Sequence, residues 1–548
     1  VHEKRFTINP LPMISRIDSL LTKSEIGDFL QSLQLRPLKS VRCRVDRSDQ
    51  TLPFESSNVP WYPRYGRQLI DSTVRPGSFL AYASADYYIQ DSASMLPLQL
   101  LDLAPDDWVC DLCAAPGGKA TAIAELLGEG GVLLANEAIG GRVDVLRYSL
   151  GRTGRANFIQ TNLDPEQLAI ELCGRFDKVL VDVPCSGQSL LGRDQQSESA
   201  FSDTHVLHCA ARSQRILRQA MLLLRPGGRL IFSTCTFSLE ENEDQVRWML
   251  ELFPGKFHPI VSESLVSQSL DPWKSPVQEG AYRLWPHRDP CSGGFAAGLQ
   301  AGPDWDPDQA CADQLLHSKA SNTPGVKWKE RREDRGGRSN ASKRKDKSGN
   351  RKNNTESDQG FDELSEITDS IGKCKLSMVI QDSKVIGFEP GAYAFHQEFP
   401  HIGLGSTLAA YKHIAPHKTL ANNKPQSARK SSGVNSKGAN SKGTVPIEPY
   451  HAMAMLLSHL FESNFRIELD DAQAQRFVQG QAIEGSSSQS VHAGWTLACW
   501  QGKPLGWLKG VAGQETSTGR ITGRWNNHLP VWARSTATGV TLSAESSP

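Results

Sequence analysis

Val109-Cys110-Asp111-Leu112-Cys113-Ala114-Ala115-Pro116-Gly117-Gly118-Lys119, followed by Ala120 to Leu127, changes its pattern once, and that change decides the fold. A short apolar run ends in a turn of small residues and glycines, after which apolar positions recur at helical spacing. A strand that feeds a helix through such a turn leaves the backbone open to a ligand. The helix start adds unpaired N–H groups and a partial positive charge. A nucleoside-type cofactor fits there, although a Gly-Gly turn also serves as plain helix-entry chemistry.

Outward from this turn the same unit repeats. Trp108 to Leu112, Gly131 to Ala135, Asn157 to Gln160, Lys178 to Asp182 and Arg229 to Ser233 read as strands, nearly all apolar, as strands covered on both faces must be. Ile216, Leu217, Ala220, Met221 and Leu224 recur at helical spacing before Pro226-Gly227-Gly228, which the pattern reads as the helix stop and the turn into the last strand. Alternating strands and helices predict an α/β fold with a mostly parallel sheet. Glu137 follows the second strand about 20 residues after the glycine turn, where a carboxylate can accept hydrogen bonds from ribose hydroxyls. Asp164 follows the next strand in a similar place.

The 548 residues exceed a single core, and Lys+Arg equals Asp+Glu at 60 each, which excludes a uniformly basic coat and an acidic disordered chain. An apolar share of 39% fits folded units joined by polar linkers. No apolar run reaches membrane-spanning length, and the start lacks the apolar stretch of a secretory signal, so an intracellular protein is expected. Val1 in place of Met leaves processing, truncation and an alternative start open. Eleven cysteines are too sparse and irregular for a disulfide framework, and no paired Cys-x-x-Cys spacing suggests a zinc site, so no metal is expected.

Residues 1–85, with a helical pattern from Ile17 to Leu33 and an alternating stretch from Val41 to Val45, read as a small accessory unit, and 86–300 as the α/β unit. Residues 301–371 read as a flexible linker, because Lys327 to Lys352 holds twelve Lys/Arg against four Asp/Glu among Gly, Ser and Asn. A strand-rich piece is expected at 372–421, a second linker at 422–445, a last domain at 446–536 and a disordered tail at 537–548. In the last domain, Gly494 to Trp500 and Pro504 to Lys509 flank Gln501-Gly502-Lys503 as a hairpin. Trp495, Trp500, Trp507 and Trp525 admit a packed core, the favoured reading, or exposed base stacking.

Two cysteines stand just past strands at the cofactor edge: Cys185 in Asp182-Val183-Pro184-Cys185-Ser186-Gly187, and Cys235 in Ser233-Thr234-Cys235-Thr236-Phe237-Ser238. A lone cysteine is usually a buried small hydrophobe. Two in turns beside a nucleoside pocket point to covalent help for methylation of a pyrimidine at carbon 5, which is too weak a nucleophile by itself. A thiolate adds to carbon 6, carbon 5 takes the methyl group, and loss of the carbon 5 proton lets the thiolate leave. Asp182 would hydrogen-bond the base as charge builds.

These stretches, with STCTFSLEENE at 233–243, resemble the NOL1/NOP2/Sun family of RNA cytosine-C5 methyltransferases over most of residues 1–300. Tyr88-Ile89-Gln90-Asp91, Gly192-Arg193-Asp194 and Gly293-Gly294-Phe295 support the match. The resemblance implies a Rossmann-like methyltransferase core, a small N-terminal RNA-binding unit and S-adenosylmethionine as methyl donor. It also implies Cys235 as nucleophile, Cys185 assisting release, and Asp182 and Lys119 at the base. The implied cofactor set is Cys113, Ala114, Ala115, Pro116, Gly117, Gly118, Lys119, Glu137, Arg142, Asp164 and Asp182, with Glu137 and Asp164 on ribose and adenine. Glu448 to Met455, Pro504 to Lys509 and Asn526 to Pro530 are similar to the PUA-like, strand-rich tail of the small-subunit ribosomal RNA methyltransferase F group. Gln188 stands where the family often has Glu, Ala120 where it has Thr, and the basic insertion at 325–360 is atypical.

The expectation is an RNA cytosine-C5 methyltransferase, monomeric and cytoplasmic, acting on small-subunit ribosomal RNA or the 30S subunit, with no membrane and no DNA partner. The basic linker would add phosphate attraction, although a solvated tether is the simpler reading. A catalytically silent RNA-binding assembly factor on the same fold is the alternative. A DNA cytosine methyltransferase using Pro184-Cys185 is the other rival, and the second cysteine turn and the PUA-like tail argue against it.

Overall fold

The computed structural model describes residues 17–193, 195–261, 271–320, 377–381, 384–399, 402–403, 405–411, 447–449, 454–455, 466–484, 494–511 and 524–527. The first long helix, Lys23–Ser32, is shorter than the pattern from Ile17 to Leu33. Thr22 forms a capping box with Glu25 and so fixes the start. Ile17, Leu20 and Leu21 remain buried beside Phe29, which explains why the apolar period runs on past the cap.

Strands β1 (Ser40–Cys43), β2 (Ser56–Asn58), β3 (Gly66–Leu69) and β4 (Tyr87–Ile89) form a sheet in the order β2-β3-β1-β4. The expected boundary at residue 85 therefore falls too early, since β4 completes this sheet. The stretch from Val41 to Val45 does not alternate: all four residues of β1 are buried, including Arg42, and Val45 begins a 3₁₀ turn. Arg42 crosses to the helix Gly118–Leu126, with Nη1 2.6 Å from Glu125 and Nη2 2.8 Å from Thr121. A buried guanidinium needs such partners.

The central sheet contains β5 (Trp108–Asp111), β6 (Val132–Asn136), β7 (Phe158–Thr161), β8 (Phe176–Asp182), β9 (Leu224–Thr234), β10 (Phe257–Pro259), β11 (Ala281–Leu284) and β12 (Gly294–Ala301). Its order is β10-β12-β9-β8-β5-β6-β7, with β11 also paired to β12. The ladders from β7 to β9 are parallel, and β10, β11 and β9 pair with β12 antiparallel. Alternate residues feed different cores: Cys110, Val132 and Leu134 on one face, Val109, Leu133 and Ala135 on the other. Each such Val or Leu contributes roughly 1.5–3 kcal/mol by leaving water.

Pro226-Gly227-Gly228 does not stop the helix. The helix Asp203–Leu222 has already ended, and the three residues lie within β9, where the pairing with β8 jumps from Phe176↔Leu224 to Lys178↔Arg229. The extra residues form a bulge.

The linker expected at 301–371 is also corrected at its start, because Pro307–Ala320 is a helix. Trp305 ahead of it is buried, donating from Nε1 to the Leu224 carbonyl at 2.9 Å, and Cys311 is joined to Cys173 by a disulfide. The basic stretch at 325–360, the linker at 422–445 and the tail at 537–548 lie outside the described residues.

β13 (Ser377–Gln381), β14 (Lys384–Phe388), β15 (Ser406–Tyr411) and β16 (Ile447–Pro449) form a third sheet, so residues 447–449 belong with the piece expected at 372–421 rather than with the last domain. Phe388, Ala392 and Phe395 join the central core, and Glu389 receives Arg155 at 2.7 and 2.9 Å.

The last sheet, β17 (Arg466–Glu468), β18 (Ile483–Glu484), β19 (Gly494–Trp500), β20 (Lys503–Val511) and β21 (Arg524–Asn527), contains the expected hairpin. Gln501 and Gly502 form its turn with φ of 50° and 74°, as tight hairpins require. Trp507 is buried, while Trp495 and Trp500 are half-buried with Lys509 and Lys503 over their rings; the Trp525 side chain lies outside the described residues. Lys503 also reaches Asp86 of the N-terminal unit at 2.6 Å. Among the described residues, no helix is long and apolar enough to cross a membrane.

Candidate active site

The turn after β5 is shaped by Gly117, whose φ is +117° and where a Cβ would come within 2.6 Å of the Ser149 Cβ. No other residue fits this close approach. A cavity of about 240 Å³ opens here, walled by Asp111, Cys113 to Pro116, Gly118 and Lys119 on one side and Tyr88 to Asp91 on the other. Asp111, whose role sequence reading missed, is buried, and neither carboxylate oxygen makes a hydrogen bond. Burial pushes its pKa up to about 7, against the pull of Lys119.

Glu137 and Arg142 stand behind this loop rather than in the cavity wall. Glu137 accepts from Ile139 N at 2.8 Å, and its other oxygen lies 3.2 Å from Arg142 with no hydrogen bond. Arg142 in turn donates to the Ala115 carbonyl at 2.5 Å. Asp164 departs from expectation. It caps the helix Pro165–Glu171 by accepting from Glu166 N at 3.0 Å, pairs with Arg215 at 3.6 Å, and does not line the cavity. An Asp directly before a Pro at a helix start is cap chemistry, and that role uses the carboxylate.

A second cavity, of about 110 Å³, shares Asp91, Ser94, Lys119 and Asp182 with the first and is lined further by Ser233, Cys235, Arg193 and Ser292. Asp182 ends β8 between the two: Oδ2 lies 2.6 Å from Lys119 Nζ, and Oδ1 accepts from Ser233 Oγ at 2.7 Å. Burial works against the Lys119 ammonium, but Asp182, by charge and hydrogen bond, and then Asp111 outweigh it and hold its pKa above the ordinary lysine value.

β8 and β9 are parallel neighbours, so the turns that follow them meet. Cys185 Sγ lies 3.3 Å from Cys235 Sγ, well beyond a disulfide bond, and Cys235 N donates to Cys185 Sγ at 3.4 Å. Cys235 faces the smaller cavity and Cys185 stands behind it. The Cys185 pKa is raised well above the ordinary thiol value, first by its hydrogen bond with Cys235, then by burial and the charges of Cys235 and Glu241. The N-terminal helix backs this loop: Phe29 meets Phe237 edge-on at 4.8 Å, and Phe237 stacks on Trp285 at 5.6 Å.

Three sequence segments that carried no assigned chemistry converge at the smaller cavity. Arg193 Nη2 donates to Asp91, Arg193 Nε donates to Ser292 Oγ at 2.8 Å, and Ser292 Oγ donates to Asp91 at 2.5 Å. Their spacing in sequence, with Asp91 and Ser292 201 positions apart, gives no local signal. Asp194 lies outside the described residues.

Residues 98–300 match the family described as 16S rRNA methyltransferase RsmB/F, and residues 464–515 match the methyltransferase RsmF PUA domain. The ribosomal RNA small subunit methyltransferase F of Erwinia tasmaniensis is 35% identical over 304 residues, covering 53% of this chain and 63% of the relative. Its counterpart in Klebsiella pneumoniae is 34% identical over 249 residues, covering 45% and 51%. The crystal structure of a methyltransferase homologue from Pyrococcus horikoshii aligns with a TM-score of 0.43 and 25% identity, covering 53% of this chain and 94% of that one. The chain thus spans about half to three-fifths of the curated relatives' length. Over residues 98–300, where the two cysteine turns and the glycine turn share one sheet edge, the chain matches the RsmB/F methyltransferase family, and at 464–515 it matches the PUA domain described for RsmF.

Proposed function

We propose that this protein methylates carbon 5 of cytosine in RNA, with S-adenosylmethionine as donor and small-subunit ribosomal RNA, free or in the 30S subunit, as substrate. The observation that carries the reading is the pair of thiols 3.3 Å apart at the edge of a cavity that shares Asp182 and Lys119 with the cofactor-type cavity. S-adenosylmethionine supplies an electrophilic methyl group. Its ammonium and sulfonium charges suit the Asp111 carboxylate in the cavity wall, whose oxygens make no hydrogen bond.

In this reading Cys235 attacks carbon 6 of a base lifted from its stack, which raises electron density at carbon 5. Asp182, held by Lys119 and Ser233, accepts from the cytosine amino group and orients the ring, while the Lys119 ammonium answers the negative charge that builds there. Once carbon 5 bears the methyl group, Cys185, after giving its own proton to solvent, takes the carbon 5 proton as a thiolate, the electron pair reforms the ring double bond, and Cys235 leaves as thiolate. Arg193, fixed by Asp91 and Ser292, presents a cation to the same pocket. The PUA-type domain and the N-terminal sheet would hold flanking RNA, and the enzyme would act as a monomer in the cytoplasm.

The test is Cys235→Ala with labelled methyl donor and in vitro transcribed 16S ribosomal RNA. Methyl incorporation should vanish, and undiminished incorporation would overturn the assignment. A silent assembly factor would bind the RNA yet transfer no methyl group even with both cysteines intact.

A further inference from the structure

We infer that Glu241 is a positioning residue: a single buried carboxylate that ties the two cysteine turns together and holds Cys185 in register for the release step. The inference rests on the proposed roles of the two cysteines. Glu241 lies on the short 3₁₀ turn after the Cys235 loop and is fully buried, as are Ser186 and Thr236, the residues that directly follow the two cysteines. Its Oε1 accepts from Ser186 N at 2.8 Å, and its Oε2 accepts from Ser186 Oγ at 2.6 Å and from Thr236 Oγ1 at 3.3 Å. The two hydroxyls also meet each other at 2.8 Å.

Three donors converge, and only an ionised carboxylate offers acceptors alone to all of them. Burial raises the Glu241 pKa while the Ser186 and Thr236 hydrogen bonds resist that rise, so the anion stays buried because those partners are present. The anchoring is uneven. The Cys185 turn is held by the two shorter bonds and the Cys235 turn by one long one. Both turns have other ties: Arg212 and Gln196 donate to the Pro184 and Ser186 carbonyls at 2.6 and 2.8 Å, while Phe237 N donates to Gln188 at 3.0 Å and Ser189 N to the Cys235 carbonyl at 3.1 Å, but it is Glu241 that holds both Ser186 N and Ser186 Oγ. Weakening Glu241 should therefore displace Cys185 more than Cys235. The step to suffer is release, and the protein–RNA adduct should accumulate.

The experiment compares the full chain with Glu241→Gln, Ser186→Ala and Cys185→Ala, using in vitro transcribed 16S ribosomal RNA and labelled S-adenosylmethionine. Covalent adduct is read on denaturing gels and normalised to folded protein. Glu241→Gln keeps an acceptor for Ser186 N but turns the other atom into a donor. Release should slow about tenfold and adduct should build up, because the loss of register outweighs the easier ionisation of Cys185 once the Glu241 charge is gone, while first-turnover methyl incorporation changes far less. Ser186→Ala removes one small oxygen, folds readily, and should show a smaller increase of the same kind. A purely structural role would lower the folded fraction and leave the adduct per folded molecule unchanged. That result, or a loss confined to adduct formation, overturns the inference. If Cys185→Ala itself accumulates no adduct while methylation stays normal, the release assignment fails instead, and the positioning role falls with it.

Discussion

Cys185 Sγ stands 3.3 Å from Cys235 Sγ, behind it and out of the cavity that Cys235 faces. A hydrogen bond to Cys235, burial and nearby negative charge hold Cys185 as a neutral thiol. When Cys235 becomes a thioether on the base, burial and Glu241 still favour the neutral form. Only the thiolate can accept the carbon 5 proton, so single-turnover release should quicken by up to about tenfold per pH unit between roughly pH 7 and pH 9. Rapid-quench measurement of adduct decay checks this, and a rate independent of pH would count against Cys185 as the base.

Asp111 gives a second titration, again from a neutral acid to an anion. Its pKa of about 7 lies above that of an unfolded carboxyl, so its contribution favours the fold at low pH and is lost as pH rises from the ordinary carboxylate range through about 7. A cationic cofactor prefers the carboxylate. S-adenosylmethionine should bind more tightly, by roughly five- to tenfold, as pH rises from about 6 to about 8. Calorimetric titration should show this dependence for the native chain and a flat profile for Asp111→Asn.

Asp182→Asn removes the charge that Lys119 answers at 2.6 Å but keeps a similar shape. The turnover number should fall about 10²–10³-fold, as when a preorganised partner of developing charge is lost. Circular dichroism of the variant should remain native, and cofactor binding should change much less than turnover.

Arg42 and Glu125 test the join between the N-terminal sheet and the methyltransferase core. They pair at 2.6 Å with side chains 1% and 8% exposed. Glu125→Ala leaves a buried cation short of its partner and should destabilise the protein by about 3–5 kcal/mol, read by chemical denaturation. A change under about 1 kcal/mol would mean that Thr121 and Gln90, which accepts from Arg42 Nε at 3.2 Å, suffice.

The sequence by itself determined the α/β fold, the glycine turn, the hairpin at Gln501-Gly502 and the presence of two cysteine turns, because each depends on neighbours within a few residues: apolar period, turn chemistry and cap chemistry. Only the tertiary structure decided what meets what. Asp91, Arg193 and Ser292 come together across the fold, Glu389 and β16 join elements the composition had divided, and Asp164 serves a helix start rather than the cavity. Local pattern cannot report these relationships. Which side chains share a cavity follows from strand order, and strand order is settled by how whole faces bury one another, not by any one segment.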